Sequence, residues 1–308
     1  MNFRSFGDMN RTIVQNLHKV NSYTDLIVGI PRSGLMAANI LAMHLNLPIA
    51  DTSKIYEGQI LLLDGSINGR QVDINYFKNI LVIDDSVRSG RSIEQVKAKL
   101  HSIYPDINFT FAAVYADTKS KNKVDLYFEL CPVPRVFEWN IMNHFQISKF
   151  CMEIDGVLCE NIDYDYNDNH DYYIHAIENV RPMFRIRREI GYLVTRRPEI
   201  LRRITEKWLD KHGIKYRNLI MQDKNMNECK MNSDYINKSK SYFYKKQVYS
   251  RVFIESSFVN SCKIAQFSGK LVYSIDKGII VRPSWLSEKK QKINDNFMKL
   301  AKKLNDCP

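Results

Sequence analysis

Short apolar runs alternate with longer helical segments along the first 115 residues of the chain. The apolar runs, each with the length of a buried strand, lie at 26–30, 60–63, 80–83 and 109–115. The segments at 35–45 and 93–103 have the length of helices. Strands that alternate with helices predict an α/β domain built on a parallel sheet.

The chain changes character near residue 140, and a second series of strands and helices follows. Further strands are predicted at 150–154, 190–195, 252–255 and 269–275. A helix at 200–212 precedes Gly213, which is typical of a C-cap. We therefore expect a fold class of two doubly wound, parallel-sheet α/β domains. The predicted domains are 1–147 and 148–287, followed by a basic amphipathic helix within 288–308.

Two adjacent acids, Asp84 and Asp85, end the apolar strand at 80–83 and precede a turn rich in Ser, Gly and Arg. The backbone N–H groups and hydroxyls of such a turn, with the N-terminus of the next helix, suit a phosphate dianion. The two carboxylates suit the vicinal diol of a sugar, because ionised carboxylates accept hydrogen bonds. This combination predicts a site for a ribose 5-phosphate. The alternative is an ordinary acidic loop of a doubly wound sheet.

This pattern resembles the signature for 5-phosphoribosyl 1-diphosphate (PRPP) in type I phosphoribosyltransferases. A second loop, Gly-Ile-Pro-Arg-Ser-Gly at 29–34, resembles the family's pyrophosphate loop, which implies that Arg32 contacts the leaving group. The resemblance implies PRPP binding by Arg32, Ser33, Gly34, Asp84, Asp85, Val87, Arg88, Ser89, Gly90, Arg91 and Ser92. It also implies catalytic roles for Arg32, Asp84 and Asp85, with Mg²⁺ as the cofactor.

Two further expectations concern the surroundings of the PRPP site. The resemblance implies that the polar stretch at 65–76 is a mobile loop that closes over PRPP. An acceptor hydroxyl needs a base, and Asp117, just after the strand at 109–115, is a candidate. Its alternative is a structural acid of the loop.

The second domain begins with Glu153-Ile154-Asp155-Gly156-Val157 after a strand, which resembles the first motif of the haloacid dehalogenase (HAD) phosphatase superfamily. The strand ending at Thr195 resembles the second motif, and the strand ending at Glu255 the fourth. The resemblance implies an HAD-like (Rossmannoid) domain with a small cap. It implies catalytic roles for Glu153 and Asp155, and phosphate binding by Thr195, Arg196 and Lys240, with Lys238 as the alternative lysine. The implied metal ligands are Glu153, Asp155 and Glu255.

The nucleophile position of that motif holds Glu153, where the superfamily has aspartate. The extra methylene displaces the carboxylate by about 1 Å, and such a displacement can lower a rate by about 10²-fold. Ser256 also stands where a second acid of the fourth motif would lie. A slow phosphatase, a phosphate-binding remnant and an altered active site are the three open interpretations.

The full chain resembles fused transferase–phosphatase proteins of bacterial surface-polysaccharide synthesis. This implies PRPP-dependent phosphoribosyl transfer to a glycan or alditol-phosphate acceptor, followed by removal of the 5-phosphate to leave ribofuranose. Two alternatives stay open. One is a nucleobase phosphoribosyltransferase of salvage with a degenerate phosphatase domain, and the other is a non-catalytic PRPP-binding protein.

Composition narrows the possible partners. The chain carries a net charge of +11, but no RNP, zinc-finger or helix-turn-helix signature, so we expect no nucleic acid partner. The cysteines form no CxxC pair, and the N-terminus has no apolar signal region, so we expect a cytoplasmic protein with reduced thiols. The basic helix within 288–308 has two open interpretations: docking on its own domain, or contact with the inner face of an anionic membrane.

Overall fold

The chain divides into two compact units, Met1–Trp139 and Asn140–Pro308. The structure is a computed structural model that describes residues 1–62, 70–162, 170–222 and 233–284. The predicted boundary after residue 147 falls inside the second unit. The predicted C-terminal helix lies outside the described residues, and no described helix has the length and apolar character needed to cross a membrane.

The first unit is an α/β domain whose central sheet is parallel. Its elements are β1 (Asn2–Arg4), α1 (Phe6–Gln15), β2 (Leu26–Gly29), α2 (Gly34–Leu45), β3 (Ile49–Asp51), α3 (Thr52–Ile55), β4 (Gln59–Leu62), β5 (Arg70–Asp73), β6 (Asn79–Val87), α4 (Arg91–Ile103), β7 (Asn108–Ala116), β8 (Leu126–Leu130) and β9 (Arg135–Phe137). Five strands form the central sheet in the order β3-β2-β6-β7-β8, and all their pairings are parallel. β1 pairs with β9 in a separate parallel pair.

Both faces of this sheet are covered, which explains the consecutive apolar residues within its strands. Along β6, Ile80 and Val82 pack into one core cluster, whereas Leu81 and Ile83 pack into the other. The first cluster includes residues of α4, and the second includes residues of α1 and α2. The predicted doubly wound domain is therefore confirmed for this unit.

Two predictions for the first unit need correction. The strand predicted at 80–83 continues to Val87, because β6 stays paired with the equally long β7 as far as the pair Val87 and Ala116. The strand predicted at 60–63 does not join the central sheet, since β4 pairs with β5 in an antiparallel hairpin. The stretch predicted as a mobile loop, 65–76, contains β5 and a 3₁₀ turn at Ile74–Tyr76, while 63–69 lie outside the described residues.

The second unit is a further α/β domain. Its elements are β10 (Phe150–Met152), α5 (His170–Asn179), β11 (Ile190–Pro198), α6 (Arg202–Lys211), β12 (Tyr216–Gln222), α7 (Ser233–Lys246), β13 (Val252–Glu255), α8 (Phe258–Ser268), β14 (Val272–Ser274) and β15 (Ile279–Val281). The sheet order is β12-β11-β10-β13-β14-β15, and only the pairing of β14 with β15 is antiparallel. The strand predicted to end at Thr195 continues to Pro198, with a register shift between Val194 and Pro198.

Candidate functional sites

The loop after β2 lies directly against the acid-bearing part of β6, because Gly34 has no side chain. A Cβ atom at Gly34 would lie 2.8 Å from the Ile83 carbonyl oxygen and 3.0 Å from both Cα and Oδ1 of Asp84. Arg32 and the peptide it shares with Pro31, which is cis, precede this contact on the exposed side of the loop. The structure thus places the predicted pyrophosphate loop beside the predicted diol-binding acids.

The acid pair is held by two hydrogen bonds from outside its own strand. Ser33 Oγ donates to Asp85 Oδ1 at 2.9 Å, and Trp139 Nε1 donates to Asp85 Oδ2 at 2.8 Å. The neighbouring Asp84 accepts the Asp85 backbone N–H at 2.8 Å. Burial, together with the charge of Asp85, raises the pKa of Asp84 to about 8. A carboxylate pair of this kind favours a bound cation or hydrogen-bond donors.

The turn that follows β6 is held by hydrogen bonds at Val87, and most of its side chains are exposed. The Val87 carbonyl accepts hydrogen bonds from the Asp117 backbone N–H at 3.0 Å and from Arg135 Nη2 at 3.0 Å. Gly90 has a φ of +79° and stands at the N-terminus of α4. The predicted phosphate-binding side chains are exposed: Arg88, Ser89, Arg91 and Ser92. The turn therefore combines a start that is held by hydrogen bonds, a helix N-terminus and two guanidinium groups.

Asp117 is a structural acid in this arrangement. Its side chain is buried, and Oδ1 accepts the Val133 backbone N–H at 3.0 Å. Of the two interpretations of Asp117, the structure therefore favours the loop acid over the acceptor base.

Trp139 closes a stack of aromatic rings beside the acid pair. Its ring stacks on Phe137 with centroids 4.7 Å apart, and Phe137 stacks on Tyr115 at 5.3 Å. Sequence reasoning assigned no role to Trp139. The indole N–H of Trp139 can only donate a hydrogen bond, so in this half-buried position it pairs with the nearby carboxylate of Asp85.

Comparisons with known proteins assign a family to the N-terminal part of the chain. A family model for the phosphoribosyl transferase domain matches residues 4–142. A xanthine-guanine phosphoribosyltransferase of Cereibacter sphaeroides is 33% identical over 104 residues, which are 33% of this chain and 59% of the relative. The N-terminal part of the chain is a type I phosphoribosyltransferase domain.

Solved structures of two further proteins are similar to part of this chain. The xanthine-guanine-hypoxanthine phosphoribosyltransferase of Helicobacter pylori shares 22% identity, with a TM-score of 0.34, over 46% of this chain and 92% of its own. A purine phosphoribosyltransferase of Pyrococcus horikoshii shares 17% identity, with a TM-score of 0.33, over 45% of this chain and 92% of its own.

Outside the phosphoribosyltransferase domain, a buried lysine joins two of the predicted acids. Lys240, on α7, forms ion pairs with Glu153 after β10 and with Glu255 at the end of β13, the latter at 2.9 Å. The three side chains are almost completely buried. Lys238, the alternative lysine, is exposed, so Lys240 is the lysine that contacts the two acids.

Asp155 belongs to a different ion pair. Arg197 Nη2 lies 2.6 Å from Asp155 Oδ1, and Arg197 Nε lies 3.1 Å from Oδ2. Both side chains are buried, and the pair raises the pKa of Arg197 although burial alone would lower it. Sequence reasoning missed Arg197. The available signal was the Arg196-Arg197 dipeptide near a strand end, because alternating side chains place one of two neighbours inside.

The predicted metal ligands Glu153, Asp155 and Glu255 are not assembled into one site. Lys240 binds two of these carboxylates and Arg197 binds the third. Among the described residues, no group of three or more His, Cys, Asp or Glu is placed to hold a metal ion. These residues therefore do not fit the predicted metal, and this prediction is corrected.

A cavity of about 590 Å³ opens at this end of the second sheet, a size typical of small-molecule sites. The predicted residues that line it are Glu153, Asp155, Arg196, Lys240 and Glu255. Thr195, predicted to bind phosphate, is fully buried, and its hydroxyl accepts the Arg197 backbone N–H at 3.2 Å. Five of the predicted residues therefore line the cavity, whereas Thr195 does not.

Proposed function

We propose that the chain transfers a 5-phosphoribosyl group from PRPP to an acceptor, with release of pyrophosphate. The observation that carries this proposal is the contact of Gly34 with Asp84. It brings a basic, glycine-containing loop and an acid pair to one place, beside a turn suited to a phosphate. A diphosphate, a diol and a 5-phosphate are the three groups that PRPP presents.

In this proposal, bond breaking at C1 of the ribose is supported by charge placed at both ends of the bond. Arg32 binds the departing pyrophosphate, and electrostatic stabilisation of a developing charge is a large term in catalysis. Asp84 and Asp85 accept hydrogen bonds from the ribose hydroxyls, and the charge of Asp85 favours the oxocarbenium-like ribose. The turn at 87–92 holds the 5-phosphate and fixes the orientation of the sugar.

Mg²⁺ fits this site, because the pKa of Asp84 is raised and a nearby cation would relieve the repulsion between the two carboxylates. Asp84 and Asp85 would hold the ion together with PRPP, and the ion would neutralise charge on the diphosphate. Ser33 and Trp139 keep Asp85 in place for this role.

For the acceptor, we propose a glycan or alditol-phosphate hydroxyl, with the second unit acting on the 5-phosphate of the product. The cavity supports this, since it is large enough for a sugar phosphate and Arg196, at its wall, offers a guanidinium of the kind that binds phosphate. Its ion pairs give no metal site, so the phosphatase step is proposed without one. In this step Glu153 attacks phosphorus and displaces the ribose 5-oxygen, and water then hydrolyses the acyl phosphate to orthophosphate and restores the carboxylate.

A second candidate is transfer to a nucleobase, as the name of the Cereibacter relative states for that protein. The observation that favours it is Trp139, a half-buried aromatic ring beside the acid pair, since aromatic rings stack on bases. In this case the second unit would bind phosphate without acting on it.

Phosphorus NMR with PRPP, Mg²⁺ and separate acceptors distinguishes these functions. Pyrophosphate that forms only with a glycan or alditol-phosphate acceptor supports the first proposal, and orthophosphate that follows it supports the phosphatase step. Pyrophosphate that forms only with a nucleobase supports the second candidate. The double variant D84N/D85N should lose the signal, whereas the control Asp106→Asn, at an exposed position of the same domain, should keep it. PRPP binding without turnover on any acceptor would overturn both.

A further inference from the structure

Helix α7 exposes tyrosines and lysines together on one side. Tyr235 is 51% exposed, Tyr242 is 62% exposed, and Tyr249, just beyond the end of the helix, is 84% exposed. At 3.6 residues per turn, the helical members of this set fall within an arc of about 100°. We call the set the tyrosine–lysine face: Tyr235, Lys238, Tyr242, Lys245, Lys246 and Tyr249.

The lysines of the tyrosine–lysine face outnumber the acids beside them: among the described residues α7 carries one acid, Asp234, which interacts with Lys238 and forms its ion pair with Lys263. Residues 233–271 contain two acids. Asp234 pairs with Lys263 at 2.5 Å, and Glu255 is buried against Lys240. Lys238, Lys245 and Lys246 are exposed, so the face is positively charged and complementary to an anion.

The tyrosines and lysines are also arranged in contact with each other. The ammonium of Lys246 lies 4.3 Å from the centre of the Tyr242 ring. Such a cation–π pair holds both groups at the surface, with the ring presenting an apolar area next to a charge. A ligand that matches this face therefore has apolar and anionic groups in alternation.

The same helix reaches the cavity from its buried side. Lys240, on the opposite side of α7, lines the cavity together with Asn260 and Ser257 at the start of α8. A long ligand held along α7 therefore lies on an element that also forms a cavity wall.

We propose that the tyrosine–lysine face docks an anionic polymer of sugar or alditol units joined by phosphodiesters. Lysines pair with the phosphates, and the tyrosine rings cover the C–H faces of the sugar carbons. This inference rests on the proposed glycan-type acceptor and deepens it. Tyr235 and Tyr242 are separated by about 10 Å along the axis, too far to stack consecutive bases, which are about 3.4 Å apart in a stacked strand. The spacing thus favours a glycan over a nucleic acid.

Binding of a fluorescent poly(ribitol phosphate) to the full chain tests the proposal. Each exposed ion pair or ring contact contributes less than a factor of ten to binding. Removal of three of these residues together, in the variant Y242A/K245A/K246A, should therefore weaken binding by about tenfold. The control Y23A/K207A/K211A removes the same residue types from exposed positions elsewhere and should bind like the parent. Thermal unfolding checks that both variants are folded. Binding of the polymer should also weaken as salt is raised from low to physiological concentration.

Three results would overturn the docking: equal binding by both variants, equally tight binding of neutral dextran, or tighter binding of a single-stranded RNA with as many phosphates. Its failure is distinguishable from failure of the proposed transfer. Transfer to a polymeric acceptor, followed as pyrophosphate released from PRPP, with an unchanged KM for the polymer in the test variant would remove the docking and leave the transfer. Face-dependent polymer binding without release of pyrophosphate from PRPP in the presence of any acceptor would keep the docking and remove the transfer.

Discussion

Replacement of Gly34 by alanine tests whether the loop after β2 and the acids of β6 act as one site. Gly34 is the first residue of α2, and its φ is not in the left-handed region, so alanine meets no backbone strain there. The added Cβ instead meets backbone, 2.8 Å from the Ile83 oxygen. Gly7, in the first turn of α1, is a matched control. A Cβ there comes no closer than 3.4 Å, to the flexible end of Arg11.

The size of the effect follows from these distances. To restore an ordinary contact of 3.4 Å at Gly34, the loop and β6 must separate by about 0.6 Å. Overpacking of this kind destabilises by about 1–3 kcal/mol, and the gain from alanine in a helix offsets about 0.5–1 kcal/mol. We therefore expect Gly34→Ala to lower the free energy of unfolding by about 0–2.5 kcal/mol, and Gly7→Ala to raise it by about 0.5–1 kcal/mol.

PRPP binding should be affected more than stability. A misplacement of about 1 Å can lower a rate by about 10²-fold, so a shift of about half that size should weaken PRPP binding or turnover by about tenfold. Urea unfolding and calorimetric titration with PRPP and Mg²⁺ measure the two effects on the same protein. Parent-like PRPP affinity in Gly34→Ala would refute the view that this close contact assembles the site.

Three further predictions concern the buried charges. Lys240→Met leaves two buried carboxylates without a partner and should lower the free energy of unfolding by about 3–5 kcal/mol, whereas the exposed Lys238→Met should change it by about 0.5 kcal/mol or less; similar urea midpoints would contradict this assignment. Arg197→Met should destabilise by about 3–5 kcal/mol, as it breaks a buried pair, whereas the neighbouring Arg196→Met, which lines the cavity, should lose phosphate binding with little loss of stability. Because the pKa of Asp84 is raised from 3.8 to about 8, the native state binds a proton that the unfolded chain releases between these values. The free energy of unfolding should therefore fall as pH rises through this window in the parent, relative to Asp84→Asn, and parallel pH profiles would show that the raised pKa is wrong.

Much of the fold could be predicted from the chain because its strands are buried on both faces. Runs such as Leu26–Gly29 and Val252–Glu255 are apolar at consecutive positions and end at glycine or acid, so their place in a parallel sheet is visible locally. The ends of β6 and β11 could not be predicted in this way. Both strands continue past their last apolar run, because pairing with a long neighbouring strand also provides backbone hydrogen bonds for polar residues.

Residue type and local order are enough to predict the two α/β domains, the position of Asp84 and Asp85 at a strand end, and the glycines that permit close backbone contact. Which charged side chains pair with each other depends on the tertiary fold. Lys240 rather than Lys238 lies between Glu153 and Glu255, and Asp155 is bound by Arg197 instead of joining a metal site. Burial explains this difference, because a charge removed from water must find an opposite charge, and that partner comes from a strand or helix distant in sequence.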